Sequence, residues 1–259
     1  MVEGVGLSPM LFVMCFTLPF AAIMCHCVTH GRNRIVLAVC LVACLALGVL
    51  GGHWQALTEI TDVDVMLSKP AVYLYPQQET VVHVGVDLDG ELGVTLPACD
   101  GEWVVRARPD GMLEDVTSGR GEYPYLFWDG TCDAEWSFDE GFCVADDDLV
   151  AFFDDALSRL GLSEREIRDF EAYWVPVLAH DGHPMSVLSF QGKRYEDVAH
   201  LSVDPAPDSV IRVFMAAYGC DEWVDVPEQS LGERPSRDGF VVVEWGGSYV
   251  DGLGARDLR

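Results

Sequence analysis

Residues 80–88, TVVHVGVDL, decide the fold class of this chain. Val82, Val84, Val86 and Leu88 alternate with other residues, which is the period-two pattern of a β-strand with one buried face. The core is therefore predicted to be built on strands.

Apolar runs of similar length lie on both sides of this stretch and predict further strands. The dipeptide Asp89-Gly90 is a strong two-residue turn signal and predicts a hairpin from residues 80–88 into 91–96. Pro109-Asp110-Gly111 predicts another turn, because Pro fixes φ and Gly accepts positive φ. The remaining strand runs are residues 71–75, 102–109, 123–128, 185–190, 209–218 and 240–245.

A helical pattern interrupts the strands in the middle of the chain. Three aspartates at 146–148 precede apolar residues at helical spacing from Leu149 to Leu160, and negative charge favours a helix N-terminus. Ser163 and Glu166 match the capping box of a second helix. We predict an α+β fold, a mostly antiparallel β domain with an inserted helical hairpin, whose last strand pairs near the first.

Two apolar stretches without Asp, Glu, Lys or Arg precede the strands, at residues 10–28 and 35–52. About 20 helical residues cross a hydrocarbon core of about 30 Å. Arg32 and Arg34 lie between the stretches, and such residues stay on the cytoplasmic side. We therefore expect a transmembrane helical hairpin at the cell membrane, with the large domain outside the cytoplasm.

The predicted organisation has four parts, which are a two-helix membrane anchor at 1–53, a tether at 54–68, an extracytoplasmic α+β domain at 69–250 and a C-terminal tail at 251–259. Two alternatives concern the N-terminal part. A start at Met14 or Met24 would make the second stretch a signal peptide or signal anchor. Residues 41–44, LVAC, also match a bacterial lipoprotein cleavage box.

The charge balance excludes one class of partner. The chain has 42 acidic and 16 basic residues and a net charge of −26. Such a surface repels nucleic acid, so DNA and RNA binding are not expected. The expected partners are the membrane, through residues 10–28 and 35–52, and a polymer or protein at the cell surface.

Four cysteines lie in the predicted outer domain, namely Cys99, Cys132, Cys143 and Cys220. In an oxidising compartment they allow two disulfides with three connectivities. Cys132–Cys143 would close a short loop and Cys99–Cys220 a long one. Four unpaired thiols are the alternative, and no CxxC pair outside the apolar stretches indicates zinc.

Several long motifs together resemble a protein family. They are KPAVYLYP (69–76), PDG (109–111), EYPYLFWDG (122–130), GLSEREIRDFEAYWVPVL (161–178), PDSVIRVFM (207–215) and GFVVVEWGG (239–247). They resemble a family of uncharacterised bacterial proteins, mostly secreted or membrane-attached, that opens with a KPxxYLYP strand and closes with a VVEWGG strand. The resemblance covers residues 69–247 and implies a single domain, but it implies no activity.

Carboxylates beside aromatic residues are the candidate catalytic groups. Glu244 lies next to Trp245 in an apolar strand, and Glu122 and Asp129 flank the aromatic run at 123–128. A carboxylate among aromatic rings can carry a raised pKa and line a carbohydrate site. The alternative is that strand alternation points Glu244 to solvent.

A structural role for Glu244 is also open. Lys69 or Arg212 could form an ion pair with it, and Lys69 is the preferred partner if the first and last strands are neighbours. The residues proposed to bind a ligand or to form this structural pair are Lys69, Arg212, Glu244, Tyr123, Trp128 and Trp245.

No metal or other cofactor is expected. Residues 180–183, HDGH, match no compact zinc signature, even with His200 added. Residues 87–91 resemble only the start of a calcium loop. Calcium held by the acidic residues at 139–140 and 146–148 is the alternative.

These features predict a membrane-anchored protein with an acidic extracytoplasmic domain that acts as a binding or surface-structural module. The alternative is a hydrolase that acts on a cell-surface polymer through Glu244, Glu122 and Asp129.

Overall fold

A computed structural model describes residues 65–119 and 121–250 of the chain. Seven strands form one sheet, called sheet A, and they are β1 (Val65–Tyr75), β3 (Gly90–Leu96), β7 (Leu126–Cys132), β8 (Phe142–Ala145), β9 (Met185–Phe190), β11 (Ser209–Cys220) and β12 (Val241–Tyr249). Their order across the sheet is β3-β7-β1-β12-β11-β9-β8.

Five strands form sheet B, and they are β2 (Thr80–Leu88), β4 (Glu102–Ala107), β5 (Leu113–Asp115), β6 (Glu122–Tyr123) and β10 (Ala199–Asp204). Their order is β10-β2-β4-β5-β6. In β2 the predicted alternation is present, because Val82 and Val84 are fully buried while their neighbours are at least partly exposed.

Three α-helices complete the described residues, namely α1 (Leu149–Arg159), α2 (Glu164–Ala179) and α3 (Gly192–Val198). A 3₁₀ turn at Asp146–Asp148 leads into α1. The predicted capping box is confirmed, since the Ser163 backbone N–H donates to the Glu166 carboxylate at 2.7 Å. Both α1 and α2 lie between β8 and β9 in the chain.

The two faces of sheet A are buried by different partners. Helices α1 and α2 pack on one face, and sheet B packs on the other. Strand β12 shows the consequence, because Val243 and Trp245 belong to the helix-side core while Val242 belongs to the core between the sheets. A central strand of this kind is buried on both faces, so its sequence is apolar without alternation.

The first and last described strands are neighbours, as expected from the sequence. Strand β12 pairs antiparallel with β1 and parallel with β11. Within this pairing, Val72 lies opposite Glu244 and Ser68 lies opposite Gly247.

The predicted hairpin across Asp89-Gly90 is wrong. Strand β2 pairs with β4 and β10 in sheet B, whereas β3 pairs with β7 in sheet A. A Cβ atom on Gly90 would clash with the Thr131 carbonyl oxygen, so this glycine permits close approach to β7. The turn signal therefore marks the place where the chain passes from one sheet to the other.

The predicted fold class also needs correction. The described residues form a mostly β structure of two sheets, with α1 and α2 on one face of sheet A and α3 in the core between the sheets. No helix within residues 65–119 and 121–250 is long and apolar enough to cross a membrane. The anchor predicted at 1–53 and the tail at 251–259 lie outside the described residues. Of the predicted tether, only residues 65–68 are described, and they belong to β1.

Candidate functional site

Glu244 lies on the face of sheet A that packs against sheet B, and its side chain is fully buried. The Arg212 guanidinium donates from Nε to Oε2 at 2.7 Å, and the Trp128 indole donates from Nε1 to Oε1 at 3.0 Å. Arg212 and Glu244 are register partners on the parallel strands β11 and β12. The prediction that alternation points Glu244 to solvent is therefore wrong, because sheet B covers this face.

Arg212 is held in place by aromatic rings as well as by Glu244. Its guanidinium carbon lies 4.5 Å from the ring centroid of Tyr195, and that ring stacks on Phe214 with centroids 4.2 Å apart. Burial, the largest single effect, lowers the pKa of Arg212, but the charges and hydrogen bonds of Glu244 and Tyr195 together outweigh it, so the net pKa is raised. Burial and the charge of Glu244 raise the pKa of Tyr195 well above its usual value.

This arrangement assigns Glu244 a structural role. Each carboxylate oxygen already accepts a hydrogen bond, and the pair is enclosed between two sheets. A general acid must reach a substrate atom at hydrogen-bonding distance. The contacts of Glu244 are all inside the protein, so they support an ion pair and give no route to a substrate.

The other two candidate carboxylates lie elsewhere. Glu122 is exposed on β6 of sheet B and accepts from Arg108 Nη1 at 2.7 Å. Asp129 is on β7 of sheet A and accepts a hydrogen bond from the Val94 backbone N–H on the neighbouring strand β3. Tyr123 packs partly against the core between the sheets. The three carboxylates are therefore engaged by separate partners on separate elements and form no catalytic pair.

Lys69 has an unusual backbone conformation. Its φ is 61°, and among residues 65–119 and 121–250 it is the only positive-φ residue other than glycine. The register of β1 shifts at this point relative to both β7 and β12. Left-handed backbone costs an ordinary L-residue roughly 1–2 kcal/mol, so the surrounding strands impose this conformation.

The Lys69 side chain does not reach Glu244. Its ammonium donates to the Tyr125 hydroxyl at 3.0 Å and lies 4.7 Å from the ring centroids of both Tyr125 and Phe127. No ion pair within the described part of the chain involves Lys69. The preferred Lys69–Glu244 pair is thus replaced by the alternative, Arg212–Glu244, because the bulge turns Lys69 towards β7.

A second polar contact lies beside Lys69. The hydroxyl of Tyr73 donates to Asp169 Oδ2 at 3.0 Å, which joins β1 to α2. The ring of Tyr73 lies 5.2 Å from that of Tyr125 and 6.4 Å from that of Trp245. Burial and the charge of Asp169 raise the pKa of Tyr73, so its hydroxyl stays protonated.

These contacts define a compact group on the helix-side face of sheet A, which we call the lysine cluster. It consists of Lys69, Tyr73, Tyr125, Phe127 and Asp169. All of these residues except the buried Tyr73 are partly exposed. The cluster therefore reaches the protein surface, in contrast to the sealed Arg212–Glu244 pair on the opposite face.

Two glycines of β12 let other groups pack close to the bulge. A Cβ atom on Gly246 would lie 3.0 Å from the Pro70 Cα, and one on Gly247 would lie 2.5 Å from the Trp174 ring. In the sequence these glycines are apparent only as part of the closing VVEWGG motif. Asp169, Tyr125 and Phe127 were missed as site residues, because their proximity depends on how α2 and β7 pack.

Among the cysteines, the structure brings Cys143 and Cys220 together. Their sulfur atoms are 4.0 Å apart, at one end of sheet A. Cys132 and Cys99 belong to a different core, the one between the two sheets. Burial and the neighbouring Cys143 raise the pKa of the Cys220 thiol to about 12.

The histidine-rich turn has hydrogen-bond partners of its own. His183 Nδ1 lies 2.9 Å from Asp221 Oδ1, and Asp181 accepts from the Tyr249 hydroxyl at 2.6 Å. His200 lies on β10 of sheet B, opposite Asp87. Within the described residues no group of three or more His, Cys, Asp or Glu side chains could hold a metal ion.

Comparison of the chain with protein-family models, with curated proteins and with solved structures found no match. The resemblance to the KPxxYLYP and VVEWGG family therefore stays a prediction.

Proposed function

We propose that residues 65–250 act as a ligand-binding module and that the ligand contacts the exposed part of the lysine cluster. The proposal is supported by the backbone conformation and the surroundings of Lys69. It is a partly exposed cation in a strained backbone conformation, it lies over two aromatic rings, and it has no carboxylate partner among the described residues. Strained residues of this kind concentrate at functional sites.

The hydrolase alternative has weaker support. It needs two carboxylates that face a common substrate at a separation of roughly 5 to 9.5 Å. Glu244 is buried against Arg212 and Trp128, while Glu122 is paired with Arg108 on the other sheet. The lysine cluster contains a single carboxylate, that of Asp169, which accepts from the Tyr73 hydroxyl, whereas such an enzyme needs two.

The expected partners are still those predicted from the sequence. The extracytoplasmic location also stays a prediction. That location would place polymers of the cell surface within reach of the lysine cluster. The strong net negative charge argues against nucleic acid as the ligand.

The test is a binding and turnover assay with the full chain and purified cell-surface polysaccharides, both neutral and acidic. We expect saturable binding to at least one polymer and no release of new reducing ends. Absence of binding to every polymer would contradict the proposal. Release of reducing ends that is abolished by Glu122→Gln or Asp129→Asn would favour the hydrolase.

A further inference from the structure

We infer that the lysine cluster recognises a carboxylate carried on a sugar ring, so that the ligand class is an acidic saccharide. The inference rests on the proposed binding function and specifies its ligand. Three features of the cluster support it, namely the unpaired ammonium, the partly exposed rings and the two neighbouring hydrogen-bonding groups.

The ammonium supplies the charge that an anion needs. Lys69 Nζ carries three N–H donors, and one of them is used by the Tyr125 hydroxyl at 3.0 Å. The acidic member of the cluster, Asp169, accepts a hydrogen bond from the Tyr73 hydroxyl instead. Two N–H groups of Lys69 therefore remain for an acceptor from outside, and a carboxylate gives the stronger, charge-assisted bond.

The aromatic rings favour a ligand with an apolar face. Tyr125 and Phe127 are both partly exposed and flank the ammonium at the same distance of 4.7 Å. Partly exposed aromatic side chains offer a flat apolar surface together with a polar edge. A pyranose ring has an apolar C–H face that can lie on such a surface, whereas an extended acidic peptide side chain does not.

The polar groups beside the rings match hydroxyl groups of a sugar. The Tyr125 hydroxyl accepts from Lys69 and keeps its own proton for donation. The Asp169 carboxylate has four acceptor positions, of which one is used by Tyr73. The cluster thus offers a hydroxyl donor on Tyr125 and acceptor positions on Asp169 in addition to the cation.

The overall charge of the protein limits which contacts can hold an acidic ligand. With a net charge of −26, the protein repels anions at long range, so an acidic ligand must be held by local contacts. Salt shortens the range of this repulsion, from roughly 30 Å at 0.01 M to about 8 Å at 0.15 M. We therefore expect affinity for an acidic saccharide to fall little with added salt, unlike binding through a broad basic surface.

The chain offers a matched control, because it contains only two lysines, Lys69 and Lys193. Lys193 is exposed on α3 and belongs to no ion pair of the described residues. Incorporation of [ε-¹⁵N]lysine gives one ammonium signal for each. The assignment follows from the variants Lys69→Met and Lys193→Met.

The experiment titrates the labelled full chain with trigalacturonate, with its methyl ester and with triglutamate. We expect trigalacturonate to shift the Lys69 signal alone and to bind about tenfold or more tightly than the ester, since a charged hydrogen bond is lost in the ester. Lys69→Met should reduce affinity for the acid to that for the ester, and Lys193→Met should leave it unchanged.

Several results would overturn the inference. Equal affinity for acid and ester, an unshifted Lys69 signal, or triglutamate binding as tightly as trigalacturonate would each do so. The comparison of acid with ester uses the natural protein, so it stands even if Lys69→Met does not fold. If neutral polymers bind saturably while acid and ester are indistinguishable, the binding function survives and only the ligand class fails.

Discussion

Arg237 and Glu166 form a bidentate ion pair that connects the loop before β12 to the start of α2. The terminal nitrogens Nη1 and Nη2 each lie 2.9 Å from one oxygen of a carboxylate that is fully buried. The same Nη1 also donates to the Gly161 carbonyl at 2.9 Å. Glu166 thus serves the capping box and the loop at once.

Arg237→Ala should strongly destabilise the protein, because it leaves a buried carboxylate without its counter-charge. Loss of one partner from a buried pair typically costs about 3–5 kcal/mol. Arg237→Lys should fall between Ala and the natural residue, since an ammonium cannot make the parallel pair of bonds. Urea denaturation measures both. Arg234→Ala, at an exposed neighbouring position, is the control and should change little.

The Arg212–Glu244 pair should show strong coupling in a double-mutant cycle. Arg212→Met leaves a buried carboxylate, and Glu244→Gln leaves a buried guanidinium, so each should lower the free energy of unfolding by about 3–5 kcal/mol. The double variant should cost clearly less than the sum. Arg106→Gln, which breaks an exposed pair with Glu114, should cost at most about 1 kcal/mol. An unchanged melting temperature for Glu244→Gln would disprove the structural role.

Lys69→Gly should be more stable than Lys69→Ala by roughly 1 kcal/mol, because Ala must adopt the left-handed conformation at φ 61° and Gly adopts it freely. At an ordinary strand position the order is the opposite, because the Gly variant is less stable there than the Ala variant. Both variants lose the contacts of the ammonium with Tyr125 and Phe127. If Ala proved the more stable in equilibrium unfolding, the backbone of Lys69 would not be strained as described.

Mild oxidation should link Cys143 to Cys220 before any other pair, because their sulfurs are already 4.0 Å apart. A low-molecular-weight disulfide would accept the two electrons and leave as two thiols, while the protein pair becomes one disulfide. Peptide mapping without reduction measures the connectivity. Cys143→Ser should abolish the linked peptide. A dominant Cys132–Cys143 peptide, the short loop considered from sequence, would contradict the geometry.

His183 should titrate above its usual range, because its hydrogen bond with Asp221 raises its pKa. A raised pKa in the folded state stabilises the protein fully below the unfolded value of about 6.5. This contribution is lost as pH rises through the folded value. NMR titration measures the shift, and Asp221→Asn should remove most of it, since Asp181 also contributes. His200 lies on β10 of sheet B, so His200→Gln should leave the His183 titration unchanged.

Much of the local structure could be predicted from local pattern. The alternation in residues 80–88 and the Ser163–Glu166 capping box depend on residues close together in the chain, and both are present. The hairpin at Asp89-Gly90 could not be predicted correctly. A turn dipeptide specifies the local bend, but which strands pair depends on distant partners.

The candidate site was likewise predicted only in part from the sequence. Lys69, Arg212, Trp128 and Glu244 were all singled out from sequence, but the pairing of Lys69 with Glu244 was wrong. Alternation along β12 indicates that Glu244 and Trp245 face opposite ways, and it does not indicate what covers each face. Glu244 faces the core between the sheets, against Arg212 and Trp128, and α2 covers Trp245.

The sequence by itself therefore determined most of the strands, the starts of α1 and α2, the strong negative charge and the neighbouring positions of the first and last strands. Strands β5, β8 and β10 and helix α3 were not predicted. Only the tertiary structure decided that Glu244 is sealed against Arg212 and that Lys69 lies over Tyr125 and Phe127. The physical reason is that periodicity and capping act over a few residues, whereas burial of a charge and the path of a bulged strand are set by the packing of two sheets and a helix layer.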